Sequence, residues 1–210
     1  MTIVAIKSGS GVDVLRLELS DGSLFSFKAC YLPAVFFDSP DQGQDSRYVP
    51  GAELSPDEEE SFRFASACLR GEKAALRLVS RAEQTSLGLR RKLEKTGYPS
   101  ACVQAVLARL EELEILDDSL YARMWLQSRV TRKAESPRRL LAGLRSRGIS
   151  RQDAEAALRE VLSPAAERTL MENFLRKNKL PGPGEKSNTG NILKWEGFSS
   201  ALIREYRDNA

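Results

Sequence analysis

Residues 136–150 read SPRRLLAGLRSRGIS, and the reading of this stretch decides the fold. Ser136 is placed to cap a helix, and Pro137 follows at the first helical position, where a missing N–H costs nothing. Gly148 stands where a left-handed residue closes a helix, and Ile149 follows it. The same ending, a leucine and then four residues later a glycine with a large apolar neighbour, occurs three times. The copies are Leu93…Gly97-Tyr98, Leu144…Gly148-Ile149 and Leu193…Gly197-Phe198. The glycines are 51 and 49 residues apart. A period near fifty marks a repeat array. Such an array favours a long binding surface over a catalytic pocket.

Working outward, each repeat is expected to hold three helices. Repeat one is expected at about 73–82, 86–96 and 100–114. Repeat two is expected at about 118–133, 137–147 and 151–162, and repeat three at about 164–178, 188–196 and 200–208. Ser86 and Asn188 stand at or near the place that Ser136 holds in repeat two. The first helices of repeats two and three share an apolar pattern. Leu120, Tyr121, Met124 and Trp125 match Leu170, Met171, Phe174 and Leu175, as expected of a buried stripe. Ala74, Ala75, Leu78 and Val79 are the smaller version in repeat one. Tyr98–Val103, Ile149–Ala154 and Phe198–Ile203 are placed to pair as hydrophobic staples.

The first forty residues read as β-structure. Thr2 to Lys7 is β-branched, and Val12 to Leu19 alternates, with a phase slip at Val14-Leu15 that suggests a bulge. Asp21-Gly22 between Leu15/Leu17/Leu19 and Phe25/Phe27 predicts a hairpin with both central residues at positive φ. The expectation is a three-stranded antiparallel meander, small enough to need a helical neighbour. Residues 38–60 read as an acidic loop, and about 57–71 as a linking helix. The fold class is thus mainly α: a small β-meander region at 1–72, then three-helix repeats at 73–116, 117–162 and 163–210.

Composition narrows the function. The 210 residues include no histidine, which argues against Ser-His or Cys-His nucleophilic catalysis and removes the usual nitrogen ligand for zinc. Cys30, Cys68 and Cys102 show no metal spacing and no disulfide framework. No cofactor, metal site or small-molecule substrate is expected, and an enzyme is the least favoured class. Met1-Thr2-Ile3-Val4-Ala5-Ile6-Lys7 lacks the apolar core of a signal peptide, and no run is long enough to span a membrane. A reduced, cytoplasmic setting is expected.

Charge is unevenly spread. Residues 1–72 carry 6 Lys/Arg against 12 Asp/Glu, whereas residues 73–210 carry 26 against 17. From Arg129 to Arg151 there are eight basic residues and one acid, Glu135. Arginine suits bidentate contact with carboxylate or phosphate. Arg90, Arg91, Arg132, Lys133, Arg138, Arg139, Arg145 and Arg147 are the candidate partner-binding residues. Stacking aromatics are expected to be scarce, since Trp125, Phe174 and Trp195 fall at apolar-stripe or inter-helix positions.

Residues 73–210 resemble the RecX family of recombination regulators. The resemblance is carried by Leu89-Arg90-Arg91-Lys92-Leu93…Gly97-Tyr98 and Leu113-Glu114-Ile115-Leu116-Asp117-Asp118…Tyr121-Ala122. It continues through Pro137-Arg138-Arg139-Leu140…Leu144…Arg147-Gly148-Ile149 and Leu193…Gly197-Phe198-Ser199. The resemblance implies a modulator that lies along the RecA recombinase filament and damps its strand exchange, ATP hydrolysis and coprotease activities. Two segments depart from the family layout: Pro181-Gly182-Pro183-Gly184 and the acidic loop 38–60. The alternative left open by the residues is a stand-alone protein binding single- or double-stranded DNA.

Overall fold

A computed structural model describes residues 1–11, 13–33, 36, 48–181 and 188–208. The Pro181-Gly182-Pro183-Gly184 segment beyond Pro181, residues 38–47 of loop 38–60 and Val12 lie outside the described residues. The chain forms two compact units. One holds Met1–Glu83 with Leu89–Leu116, and the other holds Gln84–Gly88 with Asp117–Ala210.

The first unit begins with strands β1 (Ile3–Ser8), β2 (Val14–Leu19) and β3 (Leu24–Lys28), an antiparallel sheet in the order β1-β2-β3. The register irregularity lies in β1, between Ile3 and Ala5, and not at Val14-Leu15, which pair regularly with Lys28 and Phe27. The hairpin also differs from a two-residue turn. The Gly22 N–H donates to the Leu19 carbonyl at 2.9 Å, and only Gly22 of the pair has positive φ, at 84°. Ser20-Asp21 therefore form a type I turn that a left-handed glycine closes. The sheet lays Leu17, Leu19 and Phe27 against helix α1 (Pro56–Val79), and Phe27 meets Phe62 edge-on at 5.0 Å.

Helix α1 corrects one sequence expectation. The linking helix and the first helix of repeat one are a single element that passes residue 72 without a break. Ser55 and Glu58 make a reciprocal capping box at its start. Gly71 is tolerated inside it because a Cβ there would already lie 3.4 Å from Cys102 and Val106 on helix α3 (Ser100–Glu112). Helix α2 (Ser86–Lys95) adds buried Leu89 and Leu93.

The second unit contains helices α4 (Asp118–Arg132), α5 (Pro137–Arg145) and α6 (Arg151–Val161), then α7 (Pro164–Asn178), α8 (Thr189–Trp195) and α9 (Ser200–Asp208). Its core gathers Leu126, Leu140, Leu144, Leu170, Phe174 and Leu193. Repeat three buries its stripe as the pattern predicts, with Leu170, Met171 and Phe174 all inside. Repeat two does not: Leu120 and Met124 face solvent, and the buried positions of α4 are Ala122 and Leu126.

The three glycines share one geometry. Their φ values are 92°, 90° and 87° at Gly97, Gly148 and Gly197. The following amide donates to the leucine carbonyl five residues back, at 3.3 Å from Tyr98, 3.2 Å from Ile149 and 3.1 Å from Phe198. Each glycine N–H donates three residues back, to Glu94, Arg145 or Lys194. These paired bonds are the Schellman closure, which satisfies carbonyls that a helix end leaves orphaned. The leucine and the apolar residue of the motif are the two ends of the longer bond.

A cationic face on the second unit

Helix α5 is short, so its caps matter. The Ser136 hydroxyl accepts from the Arg139 N–H at 3.4 Å, and Pro137 fills the first position. At the other end Gly148 closes the chain. With both ends fixed, Leu140 and Leu144, one turn apart, are fully buried, and Arg138, Arg139 and Arg145 stand on the exposed side. Among the described residues, no ion pair holds these three arginines.

Beside α5 lies a groove of about 620 Å³. Its floor is apolar, from Leu141, Ala142, Ala154 and Leu158, and its rim carries Arg138, Arg145, Arg151 and Trp195. Glu155 is the acid in this lining, and it is already taken by Arg151 at 2.7 Å. That contact holds the Glu155 carboxyl below the usual carboxylate range and raises Arg151. The rim therefore offers positive charge over an apolar floor.

Trp195 is 65% exposed, and the Arg138 guanidinium sits 3.4 Å from its ring centroid. The sequence placed this ring at an inter-helix position; it is in fact a surface platform. Trp125 is half-buried beneath two arginines, Arg129 at 4.8 Å and Arg147 at 4.7 Å from its centroid. Such cation–π contacts hold a guanidinium in place without neutralising it, although Arg129 is also paired with Glu135 at 2.6 Å. Gly143 lets this ring approach, since a Cβ there would lie 2.5 Å from Trp125.

The eight candidate residues fall into three places. Arg138 and Arg145 share the groove, with Arg139 on the same helix. Arg147 is turned back to donate to the Gly143 carbonyl at 2.7 Å, and so acts with Trp125. Arg132 and Lys133 line a second concavity of about 300 Å³, together with Arg176 and Lys177. Arg90 and Arg91 are exposed on α2 in the first unit. Arg151, Arg176 and Lys177 stood out in the sequence only as part of its basic content. Trp195 gave no signal of its exposure. Among the described residues, no group of acids and cysteines is arranged to hold a metal ion, and no helix is long and apolar enough to cross a membrane.

Comparisons with known proteins converge. Residues 73–110 match the family domain described as "RecX, first three-helix domain", and residues 117–158 match "RecX, second three-helix domain". The regulatory protein RecX of Treponema pallidum is 36% identical over 141 residues, covering 67% of this chain and 85% of that protein. The regulatory protein RecX of Thermobifida fusca is 32% identical over 168 residues, covering 78% of this chain and 86% of the relative. A crystal structure of a regulatory protein RecX superposes with a TM-score of 0.68, covering 99% of this chain and 98% of that one at 21% identity. A second, RecX from Lactobacillus salivarius, gives 0.57 and covers 69% of this chain and 97% of its own, also at 21% identity. These two structures agree in fold.

Proposed function

This chain belongs to the RecX family of regulatory proteins, and from that premise we propose that it binds the RecA recombinase filament and inhibits its recombinase, ATPase and coprotease activities. The observation that carries the reading is α5: two buried leucines fix the helix, and three arginines that no ion pair holds among the described residues stand on its open side. Arg138, Arg139 and Arg145 make the first contacts, with acidic side chains of the recombinase or phosphates of its DNA. Arg132 and Lys133 extend the surface, Arg90 and Arg91 contribute from the first unit, and Arg147 supports the face from its stack on Trp125. The repeats 73–116, 117–162 and 163–210 are the binding modules, and the region 1–72 is their amino-terminal support. The protein works in the cytoplasm as a binder and not as an enzyme.

The test is the double reversal Arg138→Glu with Arg139→Glu. Both side chains are exposed, so the helical signal stays as in the wild type, and loss of the Arg138–Trp195 stack lowers stability by only about 0.5–1 kcal/mol. Inhibition of filament ATP hydrolysis weakens by an order of magnitude or more, since each lost charged contact of this kind is worth about 1.5–3 kcal/mol. Undiminished inhibition removes the patch from the mechanism.

A second reading is direct binding of DNA without recombinase. Trp195 with Arg138, beside Arg145 and Arg151, has the make-up of a stacking platform next to phosphate-binding cations. A salt titration on bare DNA separates the two. Tight binding that falls steeply with salt, in the absence of recombinase, favours this second reading.

A further inference from the structure

Two helices of the second unit carry the same stripe. On α6 it is Arg151, Ala154, Glu155 and Leu158, and on α7 it is Arg168, Met171, Glu172 and Leu175. Each reads arginine, apolar residue, glutamate and leucine at i, i+3, i+4 and i+7, a spacing that puts all four on one face of a helix. The two stripes differ in what lies on them.

The α7 stripe is covered from within the chain. Helix α9 borders it with Leu202, Glu205 and Tyr206, at i, i+3 and i+4, and leaves a concavity of only about 170 Å³. Glu205 takes the arginine of the stripe: the Arg168 guanidinium donates to its carboxylate at 2.8 Å. An apolar residue, a carboxylate and an aromatic residue, within one helical turn, are what this stripe accepts.

The α6 stripe is open. Helix α5 borders it with Arg138, Leu141, Ala142 and Arg145, again at i, i+3, i+4 and i+7, and the groove of about 620 Å³ lies beside them. Arg168 reaches past Glu172 to another helix, whereas Arg151 turns back to Glu155 of its own helix at 2.7 Å. Arg138 and Arg145 stand two turns apart, about 10 Å along α5. Among the described residues, no ion pair holds either. The walls are already built. The Ser136 hydroxyl donates to the Glu196 carboxylate, and the Arg138 N–H donates to the Glu196 carbonyl at 2.9 Å, which ties the start of α5 to the end of α8. A preformed groove binds without the entropy loss of ordering itself.

The lining discriminates between occupants. A nucleic acid would run its phosphates past Glu155, which repels them, and would set its bases on aliphatic side chains; Trp195 already has Arg138 on one face. A protein helix sets apolar residues on the floor and carboxylates at the rim arginines, as α9 does on α7. In a second copy α9 is engaged, since Leu202 and Ile203 are buried in its own unit.

We infer that the groove along α5 and α6 is a docking site for an amphipathic helix of a protein partner, carrying apolar, carboxylate and apolar residues at the spacing of Leu202, Glu205 and Tyr206. This rests on the reading that α5 meets a partner, and it narrows that partner's surface from any anion to a carboxylate-bearing helix.

The experiment uses the full chain and a labelled helical peptide that repeats the leucine, glutamate and tyrosine spacing of α9 in tandem. Its counterpart carries glutamine in place of glutamate, and binding is read by fluorescence anisotropy. The glutamate peptide is expected to bind the wild type, and affinity to fall on the order of tenfold for the glutamine peptide. Ala142→Glu lowers affinity for the glutamate peptide by a similar factor, because the new carboxylate fills the floor and competes for Arg138 and Arg145. Ala142 is exposed on a helix and glutamate is a good helix former, so the helical signal is unchanged. No binding of the glutamate peptide, equal binding of both peptides, or wild-type affinity in Ala142→Glu overturns the inference. Displacement of the peptide by a thymidine oligonucleotide makes the groove a nucleic-acid site and also overturns it. A wild type that dimerises while Ala142→Glu stays monomeric makes a second copy the occupant, with the same result. Co-sedimentation of the wild type with recombinase filaments, run beside these, reports on the filament-binding reading by itself. Its absence with peptide binding intact overturns that reading and leaves the groove as a protein-docking site.

Discussion

Aromatic rings do different work in the two units. In the first, rings meet rings: Phe27, Phe36 and Tyr48 surround Phe62 at centroid distances of 5.0–5.4 Å. In the second, both tryptophans meet guanidinium groups, Trp125 under Arg129 and Arg147, and Trp195 under Arg138. Phe174 and Phe198 keep the ring–ring mode there, in the core at 5.5 Å. Charge follows the same division. The first unit buries Glu72 and satisfies it internally, with Lys28 donating at 2.5 Å and Tyr31 at 2.6 Å. The second unit pairs Arg129 with Glu135 but leaves Arg138, Arg139 and Arg145 outward, with no ion pair among the described residues, and an indole face holds Arg138. One unit consumes its polar groups in holding a sheet to a helix, and the other displays them.

The largest effect is expected where this display is anchored. Leu144 is fully buried in the second unit, and Leu144→Ala costs about 2–5 kcal/mol. Both tryptophans lie in that unit, so tryptophan fluorescence reads its unfolding selectively. The fluorescence midpoint in denaturant falls accordingly, and amide protection in β2 and α1 is retained. Equal loss of protection in the first unit would break the comparison, because it would mean that the two units fold as one.

How much of this was readable in advance follows from how local each cause is. The Schellman closure favours glycine at its left-handed position, and here it joins a leucine to an apolar residue at fixed spacing. Three copies therefore announced the repeats, and the helices of repeats two and three lie within about two residues of their expected ends. The cap of α5 was equally plain, because Ser136 and Pro137 act on their own helix. That of α2 is Thr85, one residue before the expected Ser86. Continuity of α1 was hidden: a change in composition near residue 72 looks like a boundary, but composition does not interrupt a hydrogen-bond ladder. The phase of α4 was hidden too, since Leu120 and Met124 are apolar yet exposed, and Ala122 carries little signal. The candidate arginines were legible as a class. Their grouping was not, because Arg147 turns to Trp125 through Gly143, and Trp195 reaches solvent through the packing of α8.

The next effect tests the inward side of the comparison. Burial, reinforced by donation to the Glu72 carboxylate, pushes the Tyr31 phenol far above its ordinary value. The protonated phenol is thus favoured by folding. Its contribution is complete below the unfolded value near 10 and is lost as pH rises beyond it. Tyr31→Phe removes a hydrogen bond to a charged group, worth about 1.5–3 kcal/mol near neutral pH. It also flattens the alkaline loss of stability in the first unit. Stability followed through hydrogen exchange in β3 and α1 from pH 8 to 11 checks both. A variant that loses stability with pH as the wild type does would show that Glu72 is held by Lys28 alone.

The smallest effect sharpens the comparison by asking whether the units differ in backbone mechanics as well as in side chains. Each contains one Schellman closure made without glycine. In the first unit Glu114 has φ 55°, with Ile115 bonded back to Leu110 at 2.9 Å; in the second Lys179 has φ 52°, with Leu180 bonded back to Leu175 at 3.0 Å. A left-handed side chain costs about 1–2 kcal/mol, and glycine returns about 0.5–1 kcal/mol of that as chain entropy in the unfolded state. Glu114→Gly and Lys179→Gly are therefore each expected to stabilise by no more than about 1 kcal/mol, and by similar amounts. Denaturant midpoints of the two variants, read by tryptophan fluorescence for Lys179→Gly and by hydrogen exchange in α3 for Glu114→Gly, give the values. Similar gains place the contrast between the units in their side chains alone, because the closure is local backbone chemistry. A gain confined to Lys179→Gly would mean that Glu114 contributes a contact in the first unit that offsets its strain.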